Sequence, residues 1–177
     1  MTVVFTALVL SVAAQRLWEV RRSGRHEARI LASGGREHAA GQMRWMRAIH
    51  TLWIVGMLAE AWLARRTVPL WLAILGASLF LLGQALRLSA MHALGPRWTV
   101  KVMTLPEPAV SSGVFRWVRH PNYLGVCLEL AGLPLLGGAY VTAVAASLAN
   151  GLLLHRRIAA EEAALRADSS YDAVFVR

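Results

Sequence analysis

The residues best suited to chemistry lie in two short stretches that are rich in charged and aromatic side chains. The first is the basic segment Arg119-His120-Pro121-Asn122-Tyr123, and the second carries Arg157 and the pair Glu161-Glu162. A small molecule with both a carboxylate and an amine would suit this mixture, because each of its charges would meet an opposite one. The full predicted set of polar residues at this site is Arg97, Lys101, Arg119, His120, Tyr123, Arg157, Glu161, Glu162 and Tyr171.

Two further ionisable residues, Arg87 and Glu129, fall inside strongly apolar segments. An intramembrane arginine is unfavourable by roughly 2.5–3.5 kcal/mol at a helix centre, so such residues usually face a bundle interior or a wet cavity. The predicted catalytic residues are therefore Arg87, Glu129, Arg157 and Glu161. Arg87 or Arg157 would orient an anionic oxygen, although Arg87 could equally snorkel to the membrane surface. His120, Glu129 and Glu161 are all candidate general bases, and the sequence does not choose among them.

Several common chemistries are excluded by the motifs that the sequence lacks. It has no zinc-ligand spacing, no phosphate-binding loop, no Gly-x-Gly-x-x-Gly and no nucleophile elbow. Its one cysteine, Cys127, excludes an intramolecular disulfide and a cysteine-based zinc site, and is typical of a small apolar residue inside a helix. We therefore predict no metal.

The composition indicates an integral membrane protein. The 177 residues are 56% hydrophobic and only 16% charged, whereas about a quarter of the residues of a soluble domain are charged. We expect one domain over residues 1–177. A net charge of +9 is common in proteins that bind nucleic acid, but the arginines here lie in the connections between apolar segments and form no binding face. Membrane lipids and a lipophilic small molecule are the expected partners, and the oligomeric state is left open.

The predicted fold is all-α, with five transmembrane helices, a C-terminal helical hairpin and a cytoplasmic cofactor pocket. A helix rises about 1.5 Å per residue, so about 20 apolar residues cross the hydrocarbon core. The predicted spans run from about Thr2 to Val20, Met46 to Leu63, Leu70 to Met91, Pro121 to the turn Gly137-Gly138, and Ala139 to His155, with a charged helical tail after the last.

The connections predict an orientation. The long arginine-rich segments 21–47 and 92–119 and the C-terminal tail fall on one side of a five-span bundle, and the short turns 65–69 and 137–139 fall on the other. Basic connections stay in the cytoplasm, so we expect the N-terminus outside and the C-terminus inside a bacterial-type cytoplasmic membrane. Only Arg65 and Arg66 oppose this assignment.

The last two spans bring the two chemical stretches together. Proline is favoured at the first position of a helix, so Pro121 predicts a helix start with His120 just outside it. The turn Gly137-Gly138 then makes the two spans antiparallel neighbours, which places His120 close to Arg157 and Glu161.

Each of these residues also has a simpler structural interpretation. Arg119 could anchor to lipid headgroups, and Trp117 and Tyr123 could belong to an interfacial aromatic belt. The other simple interpretations are a solvated Glu161-Glu162 face paired with Arg157, helix-end polarity for Gln15, Arg16 and Glu19, a Glu60–Arg65 ion pair, and solvated His26 and His38.

The segment Arg119-His120-Pro121-Asn122-Tyr123-Leu124-Gly125, followed after a hairpin by Glu161-Glu162 and Tyr171, resembles the isoprenylcysteine carboxyl methyltransferase family. The resemblance is best over residues 84–171. It implies an integral-membrane enzyme that uses S-adenosyl-L-methionine. The residues that it places at the cofactor are Arg119, His120, Pro121, Tyr123, Gly125, Glu161, Glu162 and Tyr171.

The segments Gln15-Arg16-Leu17-Trp18-Glu19 and Arg97-Trp98-Thr99 look similar to a small bacterial branch of that family. Members of this branch methylate hydroxyls of long-chain alkylpyrones and alkylresorcinols, so the resemblance implies either such a lipid hydroxyl or a prenylcysteine-type carboxylate as the acceptor. The sequence departs from the family at Asp168-Ser169-Ser170, where the family often has a glycine. The resemblance therefore does not predict how the C-terminal tail passes over the pocket.

Two other classes of protein remain as alternatives. Membrane lipid and sterol double-bond reductases that use NADPH have a similar Arg-His-Pro-Asn-Tyr motif, although they are usually longer. A small non-catalytic membrane subunit would bind neither cofactor, and Arg87 and Glu129 would then form a structural pair.

Overall fold

The computed structural model describes residues 2–168 and residue 171. Within that part of the chain, five α-helices form a bundle and two short strands form a small sheet. The helices are α1 (Thr2–Ala32), α2 (Gln42–Ala64), α3 (Leu70–Leu94), α4 (Pro121–Leu136) and α5 (Tyr140–Asp168), and the strands are β1 (Arg36–His38) and β2 (Val102–Thr104).

Each predicted span corresponds to one helix. The largest difference is in α1, which continues to Ala32 instead of ending near Val20, because Ser23, His26 and Ile30 are buried on its inner face. Two of the helices are long and apolar enough to cross a membrane by length and composition. They are α1 and α3, the second counted together with the 3-10 turn Gly95–Arg97 that follows it. The count of five spans stays a prediction.

The chain is mostly helical, as predicted, and two short strands add a small sheet to the helices. Strand β1 pairs antiparallel with β2, with Glu37 opposite Met103. Gly35 allows the pairing, because a Cβ atom there would lie 2.5 Å from the carbonyl oxygen of Thr104. The sheet joins the two long polar connections to each other.

Helices α3 and α4 approach each other closely at two pairs of glycines. A Cβ atom on Gly125 would lie 2.7 Å from the carbonyl oxygen of Gly83, and one on Gly132 would lie 2.7 Å from the carbonyl oxygen of Gly76. The glycines are seven residues apart on each helix, so they share one face. Small residues allow such close backbone contact between membrane helices.

Apolar side chains from all five helices fill the centre of the bundle. Val9, Trp53, Met57 and Leu130 are all buried, and the indole N–H of Trp53 donates to the carbonyl oxygen of Leu130 at 3.2 Å. This packing joins α1, α2 and α4.

Glu60 joins α2 to α5 at the end of the bundle that carries the short turns 65–69 and 137–139. Its carboxylate accepts from Arg66 at 2.6 Å and from the backbone N–H of Thr142 at 2.9 Å. The predicted partner Arg65 instead ends α2 in a left-handed conformation, with φ of 43°. The ion pair therefore exists, but with the neighbouring arginine.

Candidate active site

The start of α4 and the C-terminal part of α5 meet in a group of side chains that we call the mouth cluster: His120, Tyr123, Arg157, Glu161 and Glu162. His120 Nε2 lies 3.0 Å from Glu162 Oε1. The Tyr123 hydroxyl donates to the Glu161 carboxylate and accepts from Arg157 Nε at 2.9 Å. The imidazole therefore points at α5 and not at bulk water.

Local sequence explains how α4 presents its part of this cluster. Pro121 is the first helical residue, and His120 precedes it in a non-helical conformation, with φ of −126° and ψ of 61°. The rings of His120 and Tyr123 stack with centroids 5.6 Å apart. On α5, Arg157 and Glu161 are four residues apart and so lie on one face.

A cavity of about 520 Å³ adjoins the mouth cluster. Its polar wall contains His120, Tyr123, Arg157 and Glu161. Its apolar wall contains residues of α1 and α2, among them Leu17, Val20, Met46 and Ile54. Ligand cavities for small molecules typically measure 300–1,000 Å³, so this one has the size of a small-molecule or cofactor site.

Two arginines and two glutamates form a second polar group, which we call the buried charge cluster: Arg16, Glu19, Arg87 and Glu129. Arg16 pairs with Glu19 at 2.6 Å and with Glu129. Arg87 pairs with Glu19 at 2.5 Å and with Glu129 at 3.4 Å. The four formal charges cancel, which is how ionised groups tolerate burial. The cluster joins α1, α3 and α4, and all of its members except Glu129 line the cavity.

The segment 98–105, which we call the cover segment, forms another wall of the cavity. Its backbone is bonded to two helices. His26 Nδ1 lies 2.7 Å from the Trp98 carbonyl oxygen, and the Val100 N–H donates to Ser23 Oγ at 2.9 Å. Arg157 Nη2 donates to the Val100 carbonyl oxygen at 2.5 Å. His26 is therefore a buried structural residue, contrary to the prediction of a solvated one.

The charged residues around the cover segment also differ from prediction. His38 Nε2 lies 2.9 Å from Thr104 Oγ1 and is not simply solvated. Lys101 lies 2.9 Å from Glu37 and 3.3 Å from Glu27. The hydrogen bond to Glu37 raises the pKa of the Lys101 ammonium above its ordinary value. This lysine therefore holds the sheet to α1.

Electrostatics keep Glu162 ionised at the mouth. The hydrogen bond with His120 holds the pKa of the Glu162 carboxyl below its ordinary value of 4.5, and Arg166 at 3.0 Å acts in the same direction. The residue is thus an anion at neutral pH.

The structure brings most of the predicted site residues to one cavity. Lining residues among them are Arg87, Arg119, His120, Pro121, Tyr123, Arg157, Glu161 and Tyr171. Three predicted residues do not line it. Glu129 lies behind Arg16 and Arg87 in the buried charge cluster, Glu162 lies behind His120, and Gly125 faces α3. Ser169 and Ser170 of the predicted departure lie outside the described residues.

Sequence reasoning missed the contribution of α1. Arg16 and Glu19 had been interpreted as helix-end polarity, but Glu19 is 2% exposed and pairs with two arginines. The spacing of Arg16 and Glu19 on one face of an apolar helix was the only signal in the sequence, and it does not say which helix they meet. His50 also lines the cavity without having been predicted to do so.

Comparisons with known proteins identify the class. Residues 71–167 match the model of the isoprenylcysteine carboxyl methyltransferase (ICMT) family. The chain is 32% identical to the uncharacterized protein YpbQ of Bacillus subtilis, over 92% of this chain and 96% of that one. It is 41% identical to protein-S-isoprenylcysteine O-methyltransferase of Saccharomyces cerevisiae over 36% of this chain and 28% of the yeast protein. The corresponding match to the Xenopus laevis enzyme is 32% identity over 54% of this chain and 34% of that one.

The chain is therefore a membrane methyltransferase of the class that uses S-adenosylmethionine. It belongs to the ICMT family, as the motif around His120 predicted. The predicted identity is thus confirmed, and it favours methyl transfer over the reductase and over the non-catalytic subunit. The matched part spans about a third of the length of the animal and yeast enzymes. No solved structure matches the chain.

Proposed function

We propose that this enzyme transfers a methyl group from S-adenosylmethionine to an oxygen of a long-chain lipophilic acceptor that reaches the cavity from the bilayer. The observation that supports it is that one cavity has both the polar mouth cluster and apolar residues of α1 and α2 in its wall. An amphipathic acceptor and a polar methyl donor could therefore meet in a single enclosed space.

The residues of the mouth fit the methyl donor. S-adenosylmethionine supplies an electrophilic methyl group on a sulfonium when it is bound. Glu161 would hold its cationic groups, Arg119 would hold its carboxylate, and Glu162 would hold the His120 ring in place beside it. Two residues that line the cavity, Trp98 and Asn122, each carry a buried polar atom, Nε1 and Oδ1, without a hydrogen-bond partner among the described residues. A bound nucleoside would satisfy both.

The remaining site residues would orient the acceptor oxygen. Arg157 already donates to Tyr123 and to Val100, so its guanidinium has a fixed position beside the donor pocket. Arg87 is held by Glu19 and Glu129 and would attract an anionic oxygen that enters along α1. Positioning two reactants lowers the activation free energy by up to about 7–11 kcal/mol. A carboxylate or an acidic pyrone hydroxyl would need only this orientation, whereas a phenol with a pKa of about 10 would need a base.

The acceptor class has two candidates, a hydroxyl of a long-chain phenol or pyrone and the carboxylate of a prenylcysteine. The yeast and Xenopus proteins carry the second activity in their names. We also propose that the chain acts as one domain, that the mouth cluster faces the cytoplasm, and that the C-terminus lies on the same side.

A transfer assay tests the proposal. The protein would be purified in detergent and supplied with radiolabelled S-adenosylmethionine and either a 5-alkylresorcinol or an S-prenylated N-acetylcysteine. We expect label in a lipid product from the wild type. We expect His120→Ala and Glu161→Ala to remain membrane-inserted and to lose at least tenfold in rate, because each breaks a contact between α4 and α5.

Arg116→Ala is the matched control, since this exposed residue does not line the cavity and should keep its activity. Full activity in His120→Ala or Glu161→Ala would remove that residue from the site. Calorimetry with S-adenosylhomocysteine and with NADPH completes the test, and binding of NADPH alone would overturn the proposal.

A further inference from the structure

Asn150 is a buried polar residue of α5 that the proposed mechanism does not use. It is 1% exposed and lines the cavity. It precedes Arg157 by seven residues, so it lies on the same helical face about 10 Å from the mouth cluster along the helix axis. Its neighbours in the cavity wall include Val126 and Leu154, which are apolar.

The amide of Asn150 uses only one of its two ends. Nδ2 donates to Cys127 Sγ at 3.6 Å, and Cys127 does not line the cavity. Oδ1 is buried and has no hydrogen-bond partner among residues 2–168 and 171. A buried carbonyl oxygen without a partner is unfavourable, and native structures rarely retain one without a reason. Asn150 thus borders the cavity with an amide whose nitrogen has a partner on α4 and whose oxygen has none among the described residues.

We propose that Asn150 Oδ1 accepts a hydrogen bond from a hydroxyl on the headgroup of the methyl acceptor. This inference rests on the proposed function, because it needs a lipophilic acceptor in the cavity. The mouth cluster supplies charges for the methyl donor, whereas Asn150 lies two turns away from it, among apolar residues. A headgroup with an apolar tail would lie in such surroundings.

The chemistry of the amide oxygen selects between the two acceptor classes. An ionised carboxylate only accepts hydrogen bonds, so it would face Oδ1 as a second acceptor and leave both without a donor. A phenol or enol hydroxyl donates a proton to the hydrogen bond and satisfies Oδ1. Asn150 is uncharged and takes no proton, so it is a specificity-determining residue and not a base. At this position it would favour a hydroxyl over a carboxylate.

The test measures acceptor binding separately from methyl transfer. Calorimetry in detergent with S-adenosylhomocysteine present would compare 5-pentadecylresorcinol with its dimethyl ether. We expect the wild type to bind the dimethyl ether at least tenfold more weakly, because it has no hydroxyl proton to donate. We expect Asn150→Leu to bind the resorcinol at least tenfold more weakly than the wild type and S-adenosylhomocysteine within twofold of it.

Ser147→Ala is the matched control. Ser147 Oγ is another buried oxygen of α5 without a partner among the described residues, but it does not line the cavity. Both affinities should stay unchanged in this variant. Equal binding of the resorcinol and its ether by the wild type would overturn the inference. Two results with Asn150→Leu would also overturn it: unchanged binding of the resorcinol, or an equal loss of affinity for the resorcinol and for S-adenosylhomocysteine. Absence of methyl transfer to every lipid tested would instead contradict the proposed function.

Discussion

At the scale of single residues, the two polar groups of this protein differ in how their charges are used. The mouth cluster joins α4 to α5 through His120–Glu162 and Tyr123–Glu161 contacts, and most of it borders the cavity. In the buried charge cluster, each of the two carboxylates pairs with both arginines. The first group therefore retains charge for a ligand, and the second mainly holds the helices that surround the ligand.

The buried charge cluster gives a prediction about stability. Glu129→Gln removes one of two buried anions and leaves Arg16 and Arg87 to share Glu19. Removal of one partner from a buried ion pair destabilises proteins by about 3–5 kcal/mol. We therefore expect the thermal midpoint of the detergent-purified enzyme, measured by intrinsic fluorescence, to fall by several degrees or more.

The matched control is Glu107→Gln, which breaks the exposed ion pair with Arg97, where half of the Glu107 side chain is accessible. Exposed pairs contribute about 0–1 kcal/mol, so this midpoint should hardly move. Equal midpoints for the two variants would mean that the buried charge cluster does not stabilise the bundle.

The residue scale is also where sequence reasoning was most incomplete. The motif around His120 and the Glu161-Glu162 pair identified the α4 and α5 side chains, because each lies in a short segment with a recognisable spacing. Arg16 and Glu19 could not be assigned in that way, since nothing in the sequence of α1 says which helix it meets. Their role depends on contacts with Arg87 and Glu129, which lie 68 to 113 residues away.

At the scale of elements, the positions of the helices were predictable from apolar length, and their contacts were not. The turn Gly137-Gly138 placed α4 beside α5, as the structure shows in the Arg157–Tyr123 bond. The close contact of α3 with α4 depends on glycines that resemble ordinary small residues in a sequence. The β1–β2 pairing joins segments about 65 residues apart, and three-residue strands carry too little pattern to predict.

The glycine contacts predict that alanine destabilises the protein where two helix backbones touch and not where a glycine faces open space. Gly132→Ala would place a Cβ atom 2.7 Å from the backbone of Gly76 and of Phe80, and backbone atoms cannot move aside as a flexible side chain can. Overpacking of this kind destabilises by about 1–3 kcal/mol. We expect a lower thermal midpoint and a lower rate, because α3 carries Arg87 and α4 carries His120.

Gly151→Ala on α5 is the control, since a Cβ atom there meets nothing within 4 Å. Alanine in an unstrained helical position stabilises by about 0.4–1 kcal/mol, so this midpoint should stay or rise. A Gly132→Ala variant as stable as Gly151→Ala would show that the backbones of α3 and α4 are not in close contact.

At the scale of the whole molecule, the sheet, the cover segment and the mouth cluster all lie at one end of the bundle, and the Glu60–Arg66 pair lies at the other. The first end carries the long basic connections. Arg66, which opposes the charge rule, is held at its turn by Glu60 at 2.6 Å and by the Gly138 carbonyl oxygen at 2.7 Å. Its position therefore has a structural reason apart from topology.

This arrangement predicts that the turn 65–69 faces the outside of the cell and that the segment 105–112 faces the cytoplasm, because basic connections are retained in the cytoplasm. Cys127 would first be replaced by alanine, and single cysteines would then be introduced as Thr67→Cys and Glu107→Cys. In intact spheroplasts, a membrane-impermeant maleimide should label Thr67→Cys at once and Glu107→Cys only after permeabilisation. The reverse pattern would place the methyl-donor site outside the cytoplasm, where S-adenosylmethionine is not made. Labelling of both positions in intact cells would show that α3 does not cross the membrane between them, and so would contradict the five-span topology.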